Sequence, residues 1–367
     1  MREPPDPRSL APTDAMAMMT ALTHGGAPED ASAVPIEQAN AVGGSYARHA
    51  NATVRAFERK FHVLEGGAGS VATASGMAAV AQCLLALLCK GSRLVIHEKI
   101  FYGVRVLVSE YLPRFGIEVV AVDLNRLDLA AAALHVPGTT ALYFETVSNP
   151  HIDVLNAPAL LQLARAAGVL SIVDNTVLTP CLFAPLAHGA DIVVHSASKY
   201  IGGHGDAIGG VVTAANTMLF ERLLHARRIF GSIVSPLNAF LLQRGLVTLP
   251  MRINRHCDNA DAVAGYLASH PKIKAVFHAS LAGSAAQATA SSFLRRYGGL
   301  ISFELRDGRD RRALPKALRL CKSRYSFGEP GTTMLVQEWT PLIRLSVGLE
   351  CPEDIIADLA NGLDNVA

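Results

Sequence analysis

Charge is scarce in this chain. Asp, Glu, Lys and Arg make up 17% of its 367 residues, and 33 basic against 31 acidic side chains leave a formal net charge of +2. A balance so close to neutral gives no electrostatic footprint for nucleic acid or for an anionic membrane, so neither is expected as a partner. Lysine is rarer still, with eight against 25 arginines, which makes a lysine in a special setting more informative. The six cysteines, Cys83, Cys89, Cys181, Cys257, Cys321 and Cys351, form no CxxC pair. No histidine cluster has zinc-ligand spacing, so no metal site is expected. Scattered thiols of this kind read as reduced core residues and suit the cytoplasm. No run of about 20 apolar residues predicts a membrane span. The opening segment carries Glu3, Asp6 and Asp14 and lacks a basic region followed by an apolar one, so no signal peptide is expected. Neither an internal repeat nor a low-complexity tract is present.

Half of the residues are hydrophobic, enough for a large core and for more than one domain. Residues 1–45 read as a proline-rich, extended arm. Apolar Val54, Phe57, Phe61 and Leu64 then recur at helical spacing, and Gly66-Gly67 ends that helix. Beyond it, short apolar runs at Arg93–His97, Glu118–Val122, Ala141–Phe144, Leu170–Val173 and Asp191–His195 alternate with helical stretches at Met77–Cys89, Arg105–Arg114 and Ala157–Ala167. Such alternation predicts an α/β domain with a mostly parallel sheet over residues 46–235. Residues 236–367 read as a smaller α+β domain. It would hold two helices, Leu237–Leu249 and His256–Ser269, and strands at Ala275–His278, Leu300–Leu305, Thr333–Gln337 and Ile343–Val347.

In parallel sheets ligands bind beyond the carboxyl ends of the strands, and three of those ends carry chemistry. One run leads into Asp174-Asn175-Thr176, a second into Ser196-Ala197-Ser198-Lys199, and a third into Glu145 with Asn149 four residues later. A lysine and a carboxylate on neighbouring strand ends suit pyridoxal phosphate, which needs an amine for its aldehyde and an acid beside its ring nitrogen. Taken alone, the same residues also suit a surface lysine and a helix-capping Asp. Ser75-Gly76-Met77 lies between an extended stretch, Ser70–Thr73, and a helix whose free N–H groups suit a phosphate or make an ordinary tight turn. Tyr46 and Arg48 follow the arm, and an arginine suits a phosphate because its planar donors bind in pairs. Tyr102 lies on a strand-end loop, where an aromatic ring can stack on a planar cofactor. The glycine-rich run after Lys199 lacks the GxGxxG spacing, which excludes a nicotinamide dinucleotide fingerprint.

Together these segments resemble the cysteine/methionine-metabolism family of pyridoxal-phosphate enzymes, whose members include cystathionine γ-synthase, cystathionine β- and γ-lyases and methionine γ-lyase. The resemblance rests on YARHANATVRAFERKFHVLEGG, ATASGMAAV, FYG, ETVSNP, IVDNT, HSASKYIGGHGDAIGG, RGLVTLPMR, GGLISFEL and LIRLSVGLE. These appear in the family's order from Tyr46 to near the end of the chain. The resemblance implies an aspartate-aminotransferase-like (fold type I) large domain and a smaller C-terminal α+β domain. It implies that Lys199 is the cofactor's covalent anchor and catalytic base, that Asp174 pairs with the ring nitrogen, and that Tyr102 stacks on the ring. Gly76, Met77, Ser196 and Ser198 would cradle the phosphate, completed by Tyr46 and Arg48 from a neighbouring subunit. Thr176 and Glu145 would support the ring. Arg344 would clamp the substrate carboxylate, with Asn149, Ser326 and Tyr325 nearby. The implied assembly is a homotetramer, a dimer of dimers with shared sites.

The implied activity is that of a carbon–sulfur lyase on cystathionine or a related sulfur amino acid, with γ-replacement on an activated homoserine or methionine γ-elimination as alternatives. An aminotransferase and a non-catalytic cofactor-binding protein are the readings outside that class. Three departures bear on substrate. The stretch from Ser326 to Arg344 spans only 18 residues, roughly half the family's usual length. Tyr325 replaces the Glu of γ-acting cystathionine enzymes and resembles one type of β-lyase. Val104 and Arg105 stand where methionine γ-lyases carry Cys and Thr.

Overall fold

A computed structural model of the chain describes residues 15–24, 33–306 and 308–366. The proline-rich residues 1–14 and 25–32 of the expected arm lie outside them. The described part of the arm is not extended throughout: α1 (Ala15–His24) buries Leu22 in the large core. A two-stranded hairpin of β1 (Ala41–Val42) and β2 (Ser45–Tyr46) follows.

Helix α2 (Ala52–Glu65) is capped by Asn51, whose side chain accepts from the Val54 N–H at 3.1 Å. It ends at Gly66, whose φ of 81° suits glycine. The large sheet then takes β3 (Gly69–Thr73), β4 (Arg93–His97), β5 (Glu118–Val122), β6 (Thr139–Glu145), β7 (Leu170–Asp174), β8 (Ile192–Ser196) and β9 (Gly210–Ala214) in the order β3-β9-β8-β7-β6-β4-β5. Pairing from β8 to β5 is parallel, whereas β9 runs antiparallel to both its neighbours. The expected α/β sheet is therefore present, and β9 is the strand that periodicity did not announce. Gly209 and Gly210 open it, which hides a short Val-Val-Thr-Ala run inside a glycine-rich stretch.

Alternate residues of each strand face opposite ways, and both faces are covered. One carries Phe57 and Phe61 of α2, Leu160 and Leu161 of α6 (Ala157–Ala166), and Ala130 and Leu134 of α5 (Leu127–Leu134). The other carries Val80 and Leu84 of α3 (Gly76–Leu87) and Leu219 and Leu223 of α8 (Thr217–Phe230). It also takes Val104 of α4 (Tyr102–Val106) and Val108 and Leu112 just after it, where the helix widens and then tightens rather than continuing regularly. A four-residue helix, α7 (Thr179–Leu182), follows β7.

The two expected helices after residue 236 are one, α9 (Pro236–Ser269), which runs through Pro250. A proline in a helix removes one bond and crowds the preceding turn. Here Arg252 donates to the Gly245 carbonyl at 2.6 Å in that turn. The small sheet contains β10 (Ile273–Phe277), β11 (Leu300–Leu305), β12 (Lys322–Ser323), β13 (Thr333–Val336) and β14 (Ile343–Ser346) in the order β10-β11-β14-β13-β12. Helices α10 (Ala285–Ala290) and α11 (Leu314–Ala317) lie between its strands in sequence, and α12 (Pro352–Asp364) packs Ile355, Leu359 and Leu363 against its core. Ala239, Leu242, Leu246, Leu249 and Ile253 of α9 sit in the large core, and Ala260, Val263, Ala264 and Leu267 in the small one.

Candidate active site

The carboxyl ends of β6, β7 and β8 bring the expected groups together. Strand register places Glu145 directly beside Asp174. Asp174 accepts from the Thr176 N–H at 3.0 Å and from the Tyr143 hydroxyl at 3.3 Å. Glu145 accepts from the Phe101 N–H at 2.5 Å and the Asn149 N–H at 3.3 Å. Burial, and for Glu145 next the charge of Asp174, raises the pKa of both carboxyls, that of Glu145 most. Two buried neighbouring acids with this bias have room for one cationic donor.

Three residues beyond β8, the Lys199 ammonium donates to the Ser326 hydroxyl at 3.1 Å and lies 4.9 Å from the Phe327 ring centroid. Burial first, then the Arg344 charge, lowers its pKa from 10.5 to about 8, against an opposing pull from Glu329. Gly328 makes this approach possible. Its φ of +82° is in the left-handed region, and a Cβ there would stand 2.7 Å from the Tyr200 nitrogen and 3.0 Å from the Lys199 carbonyl carbon.

Arg344 lies in β14, opposite Ser302 of β11 and Leu335 of β13. It is 3% exposed and donates to the carbonyls of Tyr325 at 3.0 Å and Ser326 at 2.8 Å and to the Asn149 side chain at 3.4 Å. Its buried Nε has no acceptor, and among the described residues no carboxylate pairs with it. Burial lowers its pKa to about 10. A guanidinium so placed is short of one anion.

Helix α3 starts where β3 ends. Ser75 caps it by accepting from the Ala78 N–H at 3.0 Å, and the Gly76 and Met77 N–H groups have no intrahelical acceptor. Gly76 lies against Ser196: a Cβ on it would stand 2.6 Å from the serine Cβ and 2.8 Å from its hydroxyl. The Ser196 N–H donates to the Thr176 hydroxyl at 2.8 Å. Ser198 is more committed, since its hydroxyl donates to the Gly209 carbonyl at 3.1 Å and accepts the Gly209 N–H at 3.0 Å. Tyr102 opens α4 and is 58% exposed. The Phe101–Glu145 bond holds that turn, and Gly103 approaches the Met77 sulfur.

Three expected residues stand apart within this single chain. Arg48 donates to the Arg228 carbonyl at 2.6 Å and lies over the Tyr46 ring, which is 48% exposed. Tyr325 gives only its carbonyl, with 89% of the residue exposed. Phe327, Gly328, Glu329 and Tyr143 were not singled out from sequence. Tyr143 was accessible to it, because it precedes Glu145 by two residues on the same strand face.

The arrangement can hold a planar cation-bearing ring at Asp174, a phosphate at the start of α3, an amine-reactive carbonyl at Lys199 and a carboxylate at Arg344. Pyridoxal phosphate fits this donor set, and each surplus group noted above finds a counterpart in it or in an amino acid beside it. Comparison with known proteins agrees. The chain is 38% identical over 342 residues to an L-methionine gamma-lyase of Fusobacterium nucleatum subsp. polymorphum, covering 88% of this chain and 86% of that protein. It is 36% identical over 340 residues to the O-succinylhomoserine sulfhydrylase of Pseudomonas aeruginosa, covering 88% and 84%. The crystal structure of cystathionine gamma-lyase from Lactobacillus plantarum complexed with L-serine superposes with a TM-score of 0.92 at 33% identity, over 95% of this chain and 98% of that one. The family model for Cys/Met metabolism PLP-dependent enzymes matches residues 12–340, and the chain belongs to that family of pyridoxal-phosphate enzymes.

Proposed function

We propose that the chain is a carbon–sulfur lyase that carries out β- or γ-elimination on cystathionine or a related sulfur amino acid, giving a keto acid, ammonia and a thiol. The observation that carries this is the Lys199 amine, depressed to about pKa 8 and within hydrogen-bond reach of Ser326, beside an arginine short of an anion.

Lys199 would anchor the cofactor, Asp174 would face its ring nitrogen, Thr176 and Glu145 would support the ring and Tyr102 would stack on it. Gly76, Met77 and Ser196 would donate to its phosphate. Ser198 reaches a phosphate only by releasing Gly209. Bound there, pyridoxal phosphate supplies an electron-withdrawing ring that stabilises charge left at the substrate's Cα. Arg344 and Asn149 hold the substrate carboxylate, which orients the Cα–H bond toward Lys199. With its pKa near 8, Lys199 has a substantial neutral fraction at neutral to mildly alkaline pH and takes the Cα proton. Ser326, bonded to the same amine, fixes its direction. The amine then delivers that proton to the departing thiolate; when the leaving group sits on Cγ, it must first give up the Cα proton and, neutral again, take one from Cβ.

Tyr325 leaves β and γ positions undivided, because its side chain is exposed. Incubation with cystathionine divides them: pyruvate reports β-elimination and 2-oxobutyrate γ-elimination. Consumption of an O-acylhomoserine with a thiol, and of nothing else, replaces the lyase by γ-replacement.

The proposed assembly is a homotetramer in which Tyr46 and Arg48 complete the phosphate site of a neighbouring copy. The exposure of Tyr46, and of Ile208, Met218 and Ile229, supports burial against another chain. A cytoplasmic setting is proposed, supported by six free thiols.

A further inference from the structure

Side chains from three distant parts of the sequence meet beside Tyr102. The Arg105 guanidinium carbon lies 4.7 Å from the Trp339 ring centroid and 5.8 Å from that of Tyr102. His151 packs edge-on against Trp339 with centroids 5.6 Å apart. Trp339 belongs to the short connection between β13 and β14, so the hairpin that carries Arg344 also carries the ring that holds Arg105. His151 is two residues from Asn149, which bonds to Arg344. The cluster therefore adjoins the candidate carboxylate clamp on one side and the candidate ring-stacking tyrosine on the other.

Arg105 is half-buried, and among the described residues no carboxylate pairs with it. Asp153, the acid two residues from His151, is engaged by Lys99 at 2.8 Å and approached by His97 at 3.8 Å. Burial, with Lys99 and Arg105 acting in the same direction against Asp153, lowers the His151 pKa, so the imidazole adds little charge of its own. Two aromatic rings orient a guanidinium but do not neutralise it. What remains is a planar fork of N–H donors at the mouth of the site, suited to a carboxylate.

We propose that Arg105 is a specificity-determining residue: held by Trp339 and Tyr102, it binds a carboxylate at the far end of the substrate's side chain, so the site selects amino acids with an anionic tail over those ending in a neutral alkyl group. The proposal rests on Arg344 holding the α-carboxylate, as argued above. It does not depend on which bond the enzyme breaks.

The experiment uses the cofactor-loaded enzyme and two unreactive probes of equal chain length, L-2-aminoadipate with a terminal carboxylate and L-norleucine with a terminal methyl. Neither has a leaving group on Cβ or Cγ. Binding is followed by cofactor absorbance and by the fluorescence of Trp339, the single tryptophan of the chain. The wild type is expected to bind L-2-aminoadipate about 10–100-fold more tightly, the range for one charge-assisted contact. Arg105→Met should erase that preference by weakening L-2-aminoadipate alone. Arg105→Lys should restore part of it. An unchanged norleucine affinity and cofactor spectrum in Arg105→Met show that the variant is folded. A preference that survives in Arg105→Met overturns the proposal, as does a wild type with no preference, including one that binds neither probe. Should cystathionine yield no keto acid while the preference persists and depends on Arg105, the lyase reading fails and the tail-binding role stands.

Discussion

Replacing Gly76 by alanine tests the packing of the site without removing a polar group. The added Cβ would stand 2.6 Å from the Ser196 Cβ, 2.8 Å from its hydroxyl and 3.0 Å from its Cα. Carbon atoms rest at about 3.5–4.0 Å, so α3 and β8 must part by roughly 1 Å. Neither can do so freely. Ser196 is paired with Gly210 and donates to Thr176, while α3 is wedged by Val80, Cys83 and Leu84 in the core beneath the sheet. Overpacking of this kind costs about 1–3 kcal/mol. The methyl also crowds the N–H groups assigned to the phosphate. Weakening one such charge-assisted bond costs about 1.5–3 kcal/mol, or roughly 10–100-fold in cofactor affinity. Gly265→Ala in α9 is the control, because nothing lies within 4 Å of its would-be Cβ. There the better helix former is expected to stabilise by about 0.5–1 kcal/mol. Urea unfolding of the cofactor-free proteins reads the first effect, and absorbance titration with pyridoxal phosphate reads the second. Wild-type unfolding and affinity in Gly76→Ala would refute the packing argument. A loss of stability with unchanged affinity would instead move the phosphate away from α3.

The other expectations concern charge. Asp174→Asn keeps an acceptor for the Thr176 N–H but removes the counter-charge proposed for the ring, and kcat should fall by at least ~100-fold. Relieved of that neighbour, Glu145 should ionise more readily. Arg344→Met leaves the Tyr325 and Ser326 carbonyls without their donor, which costs about 1–3 kcal/mol in urea unfolding, and should raise KM by about 10–100-fold. If neighbouring subunits share sites, mixing the separately inactive Lys199→Ala and Arg48→Ala chains and refolding them together should restore activity; no recovery places Arg48 outside the site. Lys199 should impose a pH dependence on the cofactor-free protein. Its folded pKa of about 8 lies below its unfolded value near 10.5, so between those limits the unfolded chain holds the extra proton and stability rises with pH. Lys199→Met removes that burden: it should exceed the wild type by up to about 3 kcal/mol at pH 7 and converge with it above pH 10.5, and a gap independent of pH would contradict the depressed pKa.

Much of this architecture was legible because it is local. The strands Arg93–His97 and Glu118–Val122 match their apolar runs, and Lys199, Asp174 and Gly76 fall at the strand and helix ends where alternation of elements places ligands. Helices α8 and α12 and strand β9 were not read from the sequence, although their apolar residues complete three different layers. Contacts across the chain were beyond reach for a physical reason. Ser326 meets Lys199 from 127 positions away, and no periodicity encodes the register between two sheets. Phe327 and Gly328 matter only because that register brings them against Lys199 and Tyr200. Pro250 misled in the opposite sense. A proline is a fair helix-stop signal, but it fails here, where a side chain of the same helix donates to the disturbed turn and both flanking halves are buried in cores.

That same turn explains how two cores hold one site. Asp174 ends a strand of the large sheet and Lys199 follows another, whereas Arg344 lies in the small sheet and Ser326 in the loop between two of its strands, so their spacing depends on whatever joins the two. Helix α9 does so, with its first half in one core and its second half in the other. Arg252, near its middle, donates to the carbonyls of Tyr200 at 2.8 Å and Ile201 at 3.3 Å, the two residues after Lys199, and to Gly245 on its own helix. A Cβ on Gly245 would meet the Gly202 carbonyl oxygen at 2.3 Å, so the segment after Lys199 lies directly on the helix. Two carbonyl–donor contacts and a steric stop fix the segment after Lys199 relative to α9. On the far half of the helix, His256 and Asn259 bond to the Val347 and Gly348 carbonyls just beyond β14, which fixes Arg344 relative to the same rod. The distance between the Lys199 amine and the Arg344 guanidinium is thus set along one continuous helix, and an interruption at Pro250 would have placed a hinge between them.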